Sequence, residues 1–357
     1  MRIGIFGGAF NPPHVGHVQA AKTAAECHDL EMLIVVPTGI PPHKPLPQIT
    51  PDPEIRLLMT QNAFSDVPNT IISELEIYSL NNNYTIDTIS ALQKEYPGAD
   101  FHLLIGTDMY DTLDTWKESK TLTELVNIIV LSRETIKISS TELREMFPER
   151  KGLIYVCPAT YALIIKHRLY GAKPDWNWLR ESAHLMLDPD RIAHVKACEA
   201  EAIRLAKHWK VDIDDAREAA ILHDITKKLD FSENMCIIAE HGIDIGDYGE
   251  NEAKLLHSIT GAALAQSEFG VSNTVADAIK AHTTGSLEMS ALAKVIYLAD
   301  YIEETRDFPG VDALRRLAYE NLDAAMIMGM EMTINDLHER GITPHDKTYN
   351  VLSALKK

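Results

Sequence analysis

The chain has 357 residues, a length that favours two domains over one. Its 45% hydrophobic and 24% charged residues are typical of a globular protein, and the formal net charge of −18 argues against a bulk electrostatic grip on nucleic acid. The N-terminus lacks the apolar core of a signal peptide, and no apolar run is long enough to span a membrane, so we expect a cytoplasmic protein.

Short apolar runs alternate with helical segments through the first half of the chain. Residues 2–6 form an apolar run that ends in glycines, residues 15–28 are helix-like, and residues 32–37 form a second apolar run. Further strands are predicted at 70–75, 101–105, 126–131 and 153–156, with helices such as 85–95 between them. This order predicts a Rossmann-like, doubly wound α/β domain with a parallel sheet covered on both faces.

The pattern changes after Gly171, where Ala172-Lys173-Pro174-Asp175 has the composition of a linker. No strand is predicted beyond it. Amphipathic segments instead indicate helices at 191–209, 214–224, 252–268, 273–281, 289–305 and 311–329. The sequence therefore predicts two domains, an α/β domain at residues 1–171 and an all-α helical bundle at residues 172–357.

The four cysteines stand far apart and include no CxxC pair: Cys27, Cys157, Cys198 and Cys236. This spacing argues against a zinc ribbon or a thioredoxin-type site. We therefore expect reduced and mostly buried thiols.

A glycine-rich segment follows the first predicted strand and reads Gly7-Gly8-Ala9-Phe10-Asn11-Pro12-Pro13-His14-Val15-Gly16-His17. Gly7 and Gly8 lack a Cβ, so their backbone N–H groups can approach a phosphate closely. The next helix begins nearby, and its N-terminus favours an anion. His14 and His17 share a face there and can donate hydrogen bonds to charge on a transferring phosphoryl group. The segment is therefore predicted to be a phosphate loop.

This loop and a second motif, Ile138-Ser139-Ser140-Thr141-Glu142-Leu143-Arg144, resemble the HxGH nucleotidylyltransferase superfamily. Three finer segments make residues 1–171 similar to bacterial nicotinate-mononucleotide adenylyltransferases. They are Pro41-Pro42-His43-Lys44, Tyr84-Thr85-Ile86-Asp87-Thr88, and Leu104-Ile105-Gly106-Thr107-Asp108 followed by Trp116. The resemblance implies transfer of the adenylyl group of ATP to nicotinate mononucleotide with the help of Mg²⁺, giving deamido-NAD and pyrophosphate.

The same resemblance assigns residue roles. It implies catalytic roles at the phosphates for His14, His17 and Arg144. ATP-binding residues would be Gly7, Gly8, Phe10, His14, His17, Gly106, Asp108, Ser139, Ser140 and Arg144. Nicotinate-nucleotide-binding residues would be His43, Lys44, Thr85 and Trp116, with Trp116 stacking on the pyridine ring.

One departure from the family pattern leaves two hypotheses open. Between Leu131-Ser132-Arg133 and Ile138 only the four residues 134–137 intervene, whereas family members usually carry a longer excursion with another strand. The first domain is either an active adenylyltransferase or a non-catalytic nucleotide-binding regulator of the second domain.

Ionisable residues stand in apolar helical surroundings in the second half. The pair His223-Asp224 ends an apolar stretch, and four further residues share this setting: His194, His257, His282 and Asp300. Buried ionisable groups are costly unless they are paired or bind a metal. Six such groups converging in a bundle would form a mixed histidine and carboxylate site that suits Fe or Mn.

The order of these residues resembles the HD-domain metal-dependent phosphohydrolases. The segments HDITKKLD and LADYIEETRDFPGVD are similar to the YqeK-type branch, which cleaves diadenosine tetraphosphate symmetrically into two ADP. The resemblance implies one metal held by His194, His223, Asp224 and Asp300, a second completed by His257 and His282, and a catalytic, bridging role for Asp224. Candidate phosphate contacts are Lys227, Lys228, Thr283 and Arg306. A different nucleotide substrate and the presence of a homo-oligomer both remain open.

Overall fold

The computed structural model describes residues 1–41, 46–79, 81–131, 137–246, 248 and 253–357. The chain divides into two compact units, Met1–Asp175 and Trp176–Lys357, so that the division falls a few residues beyond the expected linker start at Ala172. None of the helices in these described ranges combines the length and apolar character needed to cross a bilayer.

The first unit contains a five-stranded sheet. Its strands are β1 (Arg2–Gly8), β2 (Met32–Pro37), β3 (Thr70–Ile72), β4 (Asp100–Gly106) and β5 (Asn127–Leu131). All four neighbouring pairs are parallel, in the order β3-β2-β1-β4-β5. In the register, Ile5 of β1 lies opposite Ile34 on one side and Leu103 on the other. The predicted doubly wound, Rossmann-like parallel sheet is confirmed.

Helices cover this sheet on both faces because alternate strand residues point in opposite directions. Ile3 and Ile5 pack into one apolar layer, whereas Phe6 packs into the other. The helices of the unit are α1 (Val15–Cys27), α2 (Pro53–Phe64), α3 (Thr85–Glu95), α4 (Thr107–Tyr110), α5 (Ser119–Leu125), α6 (Ser140–Met146) and α7 (Pro158–Lys166).

The strand predicted at residues 153–156 is wrong. Gly152 adopts the left-handed conformation with φ of 96°, and Leu153–Tyr155 form a single turn of 3₁₀ helix. Ile154 is 78% exposed. The apolar run therefore does not bury its side chains on two faces, as a strand inside a parallel sheet does.

The second unit is helical throughout its described residues, as predicted. Its helices are α8 (Trp176–Leu185), α9 (Pro189–Trp209), α10 (Ile213–Leu222), α11 (Phe231–Glu240), α12 (Ala253–Phe269), α13 (Asn273–Ala281), α14 (Ala291–Ile302), α15 (Val311–Glu320), α16 (Leu322–Glu339) and α17 (Asp346–Leu355). Helix α14 is its apolar centre, since Val295, Ile296, Leu298 and Ala299 are all fully buried.

Two expectations about the second half need correction. The helix predicted over residues 311–329 is two helices, because Asn321 leaves the helical conformation and its side chain caps α16 by accepting a hydrogen bond from Ala324 N–H. All four cysteines are free, as expected, but only Cys198 is buried, while Cys27 and Cys236 are exposed.

Candidate active sites

A cavity of about 460 Å³ lies at the carboxyl ends of the central strands of the first unit. Nine of the ten predicted ATP-binding residues line it: Gly7, Gly8, Phe10, His14, His17, Gly106, Asp108, Ser139 and Ser140. The carboxyl edge of a parallel α/β sheet is where such folds bind their ligands. The structure therefore brings together residues that lie more than 130 positions apart in the sequence.

The two histidines of the glycine-rich loop stand side by side at the start of α1. Their rings are stacked with centroids 3.6 Å apart. The His14 backbone N–H donates to Nδ1 of His17 at 3.2 Å, which forms part of a capping box at this helix N-terminus. His14 is buried, whereas His17 is partly exposed to the cavity. The two imidazoles thus line the same cavity beside the positive end of a helix.

The second motif packs directly against the first. Ser139 caps α6, and the Ser140 hydroxyl donates to the carbonyl of Pro12 at 2.8 Å. The Arg144 guanidinium is the one predicted ATP contact outside the cavity lining; it donates to the Asn11 carbonyl at 2.7 Å. These contacts hold the N-terminus of α6 next to the glycine-rich loop.

The residues predicted to bind the nicotinate nucleotide are placed only in part. His43 and Lys44 lie outside the described residues. Thr85 is the first residue of α3. Trp116 and Tyr84, the residue before Thr85, pack against the same apolar layer. Thr85 and Trp116 are absent from the lining of the 460 Å³ cavity. Of the connection at residues 134–137, expected to be shorter than in the family, only Lys137 lies within the described ranges.

A buried arginine that the sequence analysis did not predict as functional makes hydrogen bonds to the loop that follows β2. The Arg56 side chain is only 1% exposed. Its guanidinium donates to the carbonyls of Ala9 at 2.9 Å, Thr38 at 2.6 Å and Gly39 at 3.2 Å. It therefore ties the glycine-rich loop to the segment that leads toward His43 and Lys44.

A buried carboxyl group fastens the same segment from its other side. Glu76 is 8% exposed, and its Oε1 accepts a hydrogen bond from the Thr88 hydroxyl of α3 at 2.7 Å. Burial raises the pKa of Glu76 to about 7, although hydrogen bonds from Thr88 and Thr38 oppose the shift. A Cβ added at Gly39 would lie 2.1 Å from the Glu76 carbonyl oxygen, so only glycine permits this close approach.

The five other predicted metal ligands of the second unit meet around Asp224. Helices α9, α12 and α14 supply His194, His257 and Asp300, whereas His223 and His282 follow the last turns of α10 and α13. The distances from the Asp224 carboxylate to the imidazole Nε2 atoms are 3.2 Å for His257, 3.3 Å for His223, 3.6 Å for His282 and 3.9 Å for His194. Asp300 Oδ1 lies 3.0 Å from His194 Nε2.

The other ring nitrogen of each histidine is already engaged. Nδ1 lies within hydrogen-bond distance of a backbone carbonyl in three of them, at Ala220 for His223, at Lys254 for His257 and at Ile279 for His282. In His194 the partner is the carboxylate of Glu303 at 3.1 Å. Since carbonyl and carboxylate oxygens only accept, Nδ1 carries a proton in each ring, which leaves Nε2 as the atom that can bind a metal ion.

This arrangement fits divalent metal ions. Nε2 of His257 and Nε2 of His282 lie 3.0 Å apart, so the two rings present these nitrogens to one small region, with the Lys227 ammonium 3.1 Å from His257 Nε2. Among the described residues, Nε2 of His194, Nε2 of His223 and Oδ1 of Asp224 are buried without a well-directed hydrogen bond. Three groups of possible ligands converge, and Asp224 belongs to two of them. The donor set therefore suits divalent metal binding.

Electrostatics within the cluster favour ionised carboxylates and, at two of the four histidines, neutral rings. Burial opposes ionisation of Asp224, but His223, His257 and His282 hold its pKa well below the usual range. The pKa of Asp300 is lowered for the same kind of reason, against its burial. Burial lowers the pKa of His257 to about 4 and also lowers that of His282, which keeps both rings neutral. The opposite shift occurs at His223, where Asp224 overcomes burial and raises the pKa.

Three cationic side chains border the cluster. Arg306, predicted from the sequence, donates to Asp300 Oδ1 at 2.8 Å, and Lys227 Nζ lies 3.1 Å from His257 Nε2. Arg191, which the sequence analysis missed, donates to Asp224 Oδ2 at 2.5 Å. Their side chains are each about a third exposed. They can therefore reach a solvent-borne anion as well as the carboxylates.

Two predicted phosphate contacts have other partners in the structure. Lys228 is exposed and its ammonium lies 3.4 Å from the carbonyl of Leu185. The Thr283 hydroxyl donates to the Ser258 hydroxyl at 3.0 Å.

Two family models match the chain. A cytidylyltransferase-like model matches residues 5–146, and an HD-domain model matches residues 191–305. The first covers the cavity and both of its motifs. The second begins at Arg191 and extends past Glu303, so it contains the whole histidine and aspartate cluster.

Individual relatives cover either half or nearly all of the chain. A "probable nicotinate-nucleotide adenylyltransferase" of Oceanobacillus iheyensis is 33% identical, over 47% of this chain and 96% of its own. A "probable nicotinate-nucleotide adenylyltransferase/Ap4A hydrolase" of Mycoplasma genitalium is 28% identical, over 94% of this chain and 98% of its own. The crystal structure of a "predicted HD superfamily hydrolase involved in NAD metabolism" from Clostridium acetobutylicum is 35% identical, covering 51% of this chain and 96% of that chain with a TM-score of 0.49. The chain therefore belongs to the nicotinate-nucleotide adenylyltransferase family, with an HD domain fused to its nucleotidyltransferase domain.

Proposed function

We propose that the chain is a bifunctional enzyme with one nucleotide reaction in each unit. The first unit transfers the adenylyl group of ATP to nicotinate mononucleotide, releasing deamido-NAD and pyrophosphate. The second unit hydrolyses diadenosine tetraphosphate symmetrically, so that one water and one substrate molecule give two ADP. The observation that supports both assignments is that a relative named for both activities aligns with 94% of the chain, which has a cavity lined by nine of the predicted ATP-binding residues in one unit and a histidine and aspartate cluster in the other.

Adenylyl transfer needs no covalent enzyme intermediate. A phosphate oxygen of nicotinate mononucleotide attacks the α-phosphorus of ATP, and the bond to the bridging oxygen of pyrophosphate breaks. His14 and His17 donate hydrogen bonds to the oxygens on which negative charge grows, next to the N-terminus of α1. Arg144 and the N-terminus of α6 hold the departing pyrophosphate. Mg²⁺ bound with ATP would neutralise part of the phosphate charge.

The second reaction relies on the cluster around Asp224. His194, His223, Asp224 and Asp300 would hold one divalent ion, and His257 and His282 would complete the site of a second, with Asp224 shared between them. Such ions lower the pKa of bound water and polarise a phosphate. Arg191, Arg306 and Lys227 supply positive charge for the remaining phosphates of a long polyanion. A mixed histidine and carboxylate set favours Fe or Mn over metals that prefer thiolates.

The setting we infer is the cytoplasm, where both nucleotide substrates are made and used. A net charge of −18 disfavours nucleic acid as a partner, so the substrates are small nucleotides. The alternative of a non-catalytic regulatory first unit gains no support, because the relatives that cover both halves are named for two enzyme activities.

The test uses the purified full-length chain in two reactions. One contains ATP, Mg²⁺ and nicotinate mononucleotide, and the other contains diadenosine tetraphosphate with Mn²⁺ or Fe²⁺. We expect deamido-NAD in the first and only ADP in the second. His17→Ala should abolish the first product alone, and Asp224→Ala the second alone, so each variant is the folding control for the other.

Either reaction can fail independently. Absence of deamido-NAD, in protein that still hydrolyses diadenosine tetraphosphate, would remove the adenylyltransferase assignment. Release of AMP and ATP in place of ADP would contradict symmetrical cleavage. Cleavage of other nucleotides with a higher kcat/KM would reassign the substrate of the HD domain.

A further inference from the structure

One histidine of the HD cluster is held differently from the other three. Nδ1 of His223, His257 and His282 faces a neutral backbone carbonyl. Nδ1 of His194 faces the carboxylate of Glu303. Only this ring, among the four, therefore has an anionic partner on its outer side.

Glu303 is itself firmly anchored at the end of α14. Its side chain is 0% exposed. The Thr305 backbone N–H and the Thr305 hydroxyl each donate to its carboxylate at 2.6 Å, and Arg306 Nε lies 3.4 Å away. Asp300, in the last turn of α14, contacts Nε2 of the same histidine at 3.0 Å. Both nitrogens of His194 therefore contact a carboxylate. Asp300 is a predicted ligand, whereas Glu303, the residue that follows α14, lies outside the ligand set.

A carboxylate on Nδ1–H has two effects on an imidazole. It fixes the tautomer and the ring orientation, which a carbonyl also does. It further draws the proton toward itself, which makes Nε2 a stronger electron donor to a metal. Because Glu303 is buried, water screens this interaction little.

We propose that Glu303 is a positioning residue for the metal centre: through Nδ1 of His194 it aims Nε2 at the site shared with Asp224 and Asp300 and strengthens that nitrogen as a ligand. The inference rests on the metal centre proposed above. It predicts that one of the two ion positions, the one that uses His194, depends on a residue that never touches the ion.

The neighbouring residue provides a matched control. Glu304 has the same side chain and the adjacent position but is exposed. Glu303→Gln keeps the shape and an oxygen that can accept from His194 and the Thr305 hydroxyl, and it removes the negative charge together with the oxygen that accepts from the Thr305 backbone N–H. Glu304→Gln removes an equal charge from solvent. A third variant, Thr305→Val, keeps Glu303 and removes one of its anchoring donors.

The experiment titrates Mn²⁺ into the metal-free full-length chain and follows the free ion by electron paramagnetic resonance. We expect Glu303→Gln to weaken the binding of one Mn²⁺ ion about 10- to 100-fold, a range typical of lost outer-shell partners. Thr305→Val should weaken it less, and Glu304→Gln should match the parent. Thermal unfolding of the metal-free forms and the adenylyl-transfer rate should be unchanged, since a residue of purely structural importance would alter the unfolding temperature instead.

The results separate this inference from the function on which it depends. If the parent chain binds no Mn²⁺, the proposed metal centre fails and the role of Glu303 fails with it. If the parent binds Mn²⁺ and Glu303→Gln binds it equally well, only the role of Glu303 is refuted. If Glu303→Gln does not fold, Thr305→Val decides: parental affinity in that variant overturns the inference.

Discussion

Glu76 of the first unit should make the stability of that unit depend on pH. Its carboxyl group is 8% exposed, and burial raises its pKa from 4.5 to about 7. In the unfolded chain the pKa returns to its ordinary value. Between these two values the folded state holds a proton that the unfolded state has released, so raising the pH favours unfolding.

The size of the effect follows from the shift. A displacement of the pKa from 4.5 to about 7 corresponds to about 3 kcal/mol. The stabilisation is fully present below pH 4.5 and is lost as the pH rises through 7. Glu76→Gln cannot ionise, and its amide oxygen can still accept from Thr88. Relative to the parent, the variant should therefore gain about 3 kcal/mol between acidic pH and pH 8.

Calorimetry of the full-length chain provides the assay. The transition that belongs to the first unit is the one that added ATP shifts to higher temperature, because a ligand stabilises the unit that binds it. This transition is compared in the parent and in Glu76→Gln from pH 5 to pH 8. Glu74→Gln is the control, since Glu74 lies two residues earlier and is exposed.

The reasoning fails on a specific outcome. Parallel pH profiles for the parent and Glu76→Gln would show that Glu76 ionises in the folded state with an ordinary pKa. An equal effect of Glu74→Gln would show that the loss of general surface charge, and not the buried carboxyl group, sets the pH dependence.

Three further predictions concern the two sites. His17→Ala should lower kcat for deamido-NAD formation about 10²- to 10³-fold, as expected for a lost donor to developing charge, whereas His167→Ala, which removes an exposed histidine outside the cavity lining, should not. His223→Ala should reduce the metal content measured by mass spectrometry and abolish ADP release while adenylyl transfer continues; full metal content would contradict the ligand assignment. Arg191→Met should lower kcat/KM for diadenosine tetraphosphate about 10- to 100-fold, the range for a lost charged hydrogen bond, and Arg204→Met, which removes an exposed arginine paired with Glu201, should leave it unchanged.

Local patterns in the sequence were sufficient for most of the fold. The apolar runs at β1, β2 and β4 lie between helices and glycines, and α3 begins and ends at the predicted residues. These signals are local because the spacing of apolar residues along a short segment differs between helices and strands. The run at residues 153–156 has the composition of a strand, but it forms a 3₁₀ turn and leaves Ile154 exposed. Composition alone does not indicate whether a segment pairs with a neighbouring strand.

Residues that act through distant partners could not be found in the same way. Arg191 and Glu303 were missed because an arginine or glutamate in a helix usually lies on a solvated face, and only the folded bundle brings them to Asp224 and His194. Glu76 was missed for the same reason, since nothing near it in the sequence signals burial. The histidines were recognisable because an ionisable side chain in an apolar helix is costly without a partner.

The hydrogen bonds of the Arg56 guanidinium affect both the entropic cost and the association rate of nucleotide binding. It joins the glycine-rich loop, several of whose residues line the first cavity, to the loop after β2 through hydrogen bonds to three carbonyl groups. A loop that is already held by such hydrogen bonds loses little conformational freedom when a nucleotide binds, whereas immobilising a side chain costs about 0.5–1.5 kcal/mol. Nucleotide binding should therefore meet a preorganised loop, and its association rate should be set by diffusion more than by loop rearrangement.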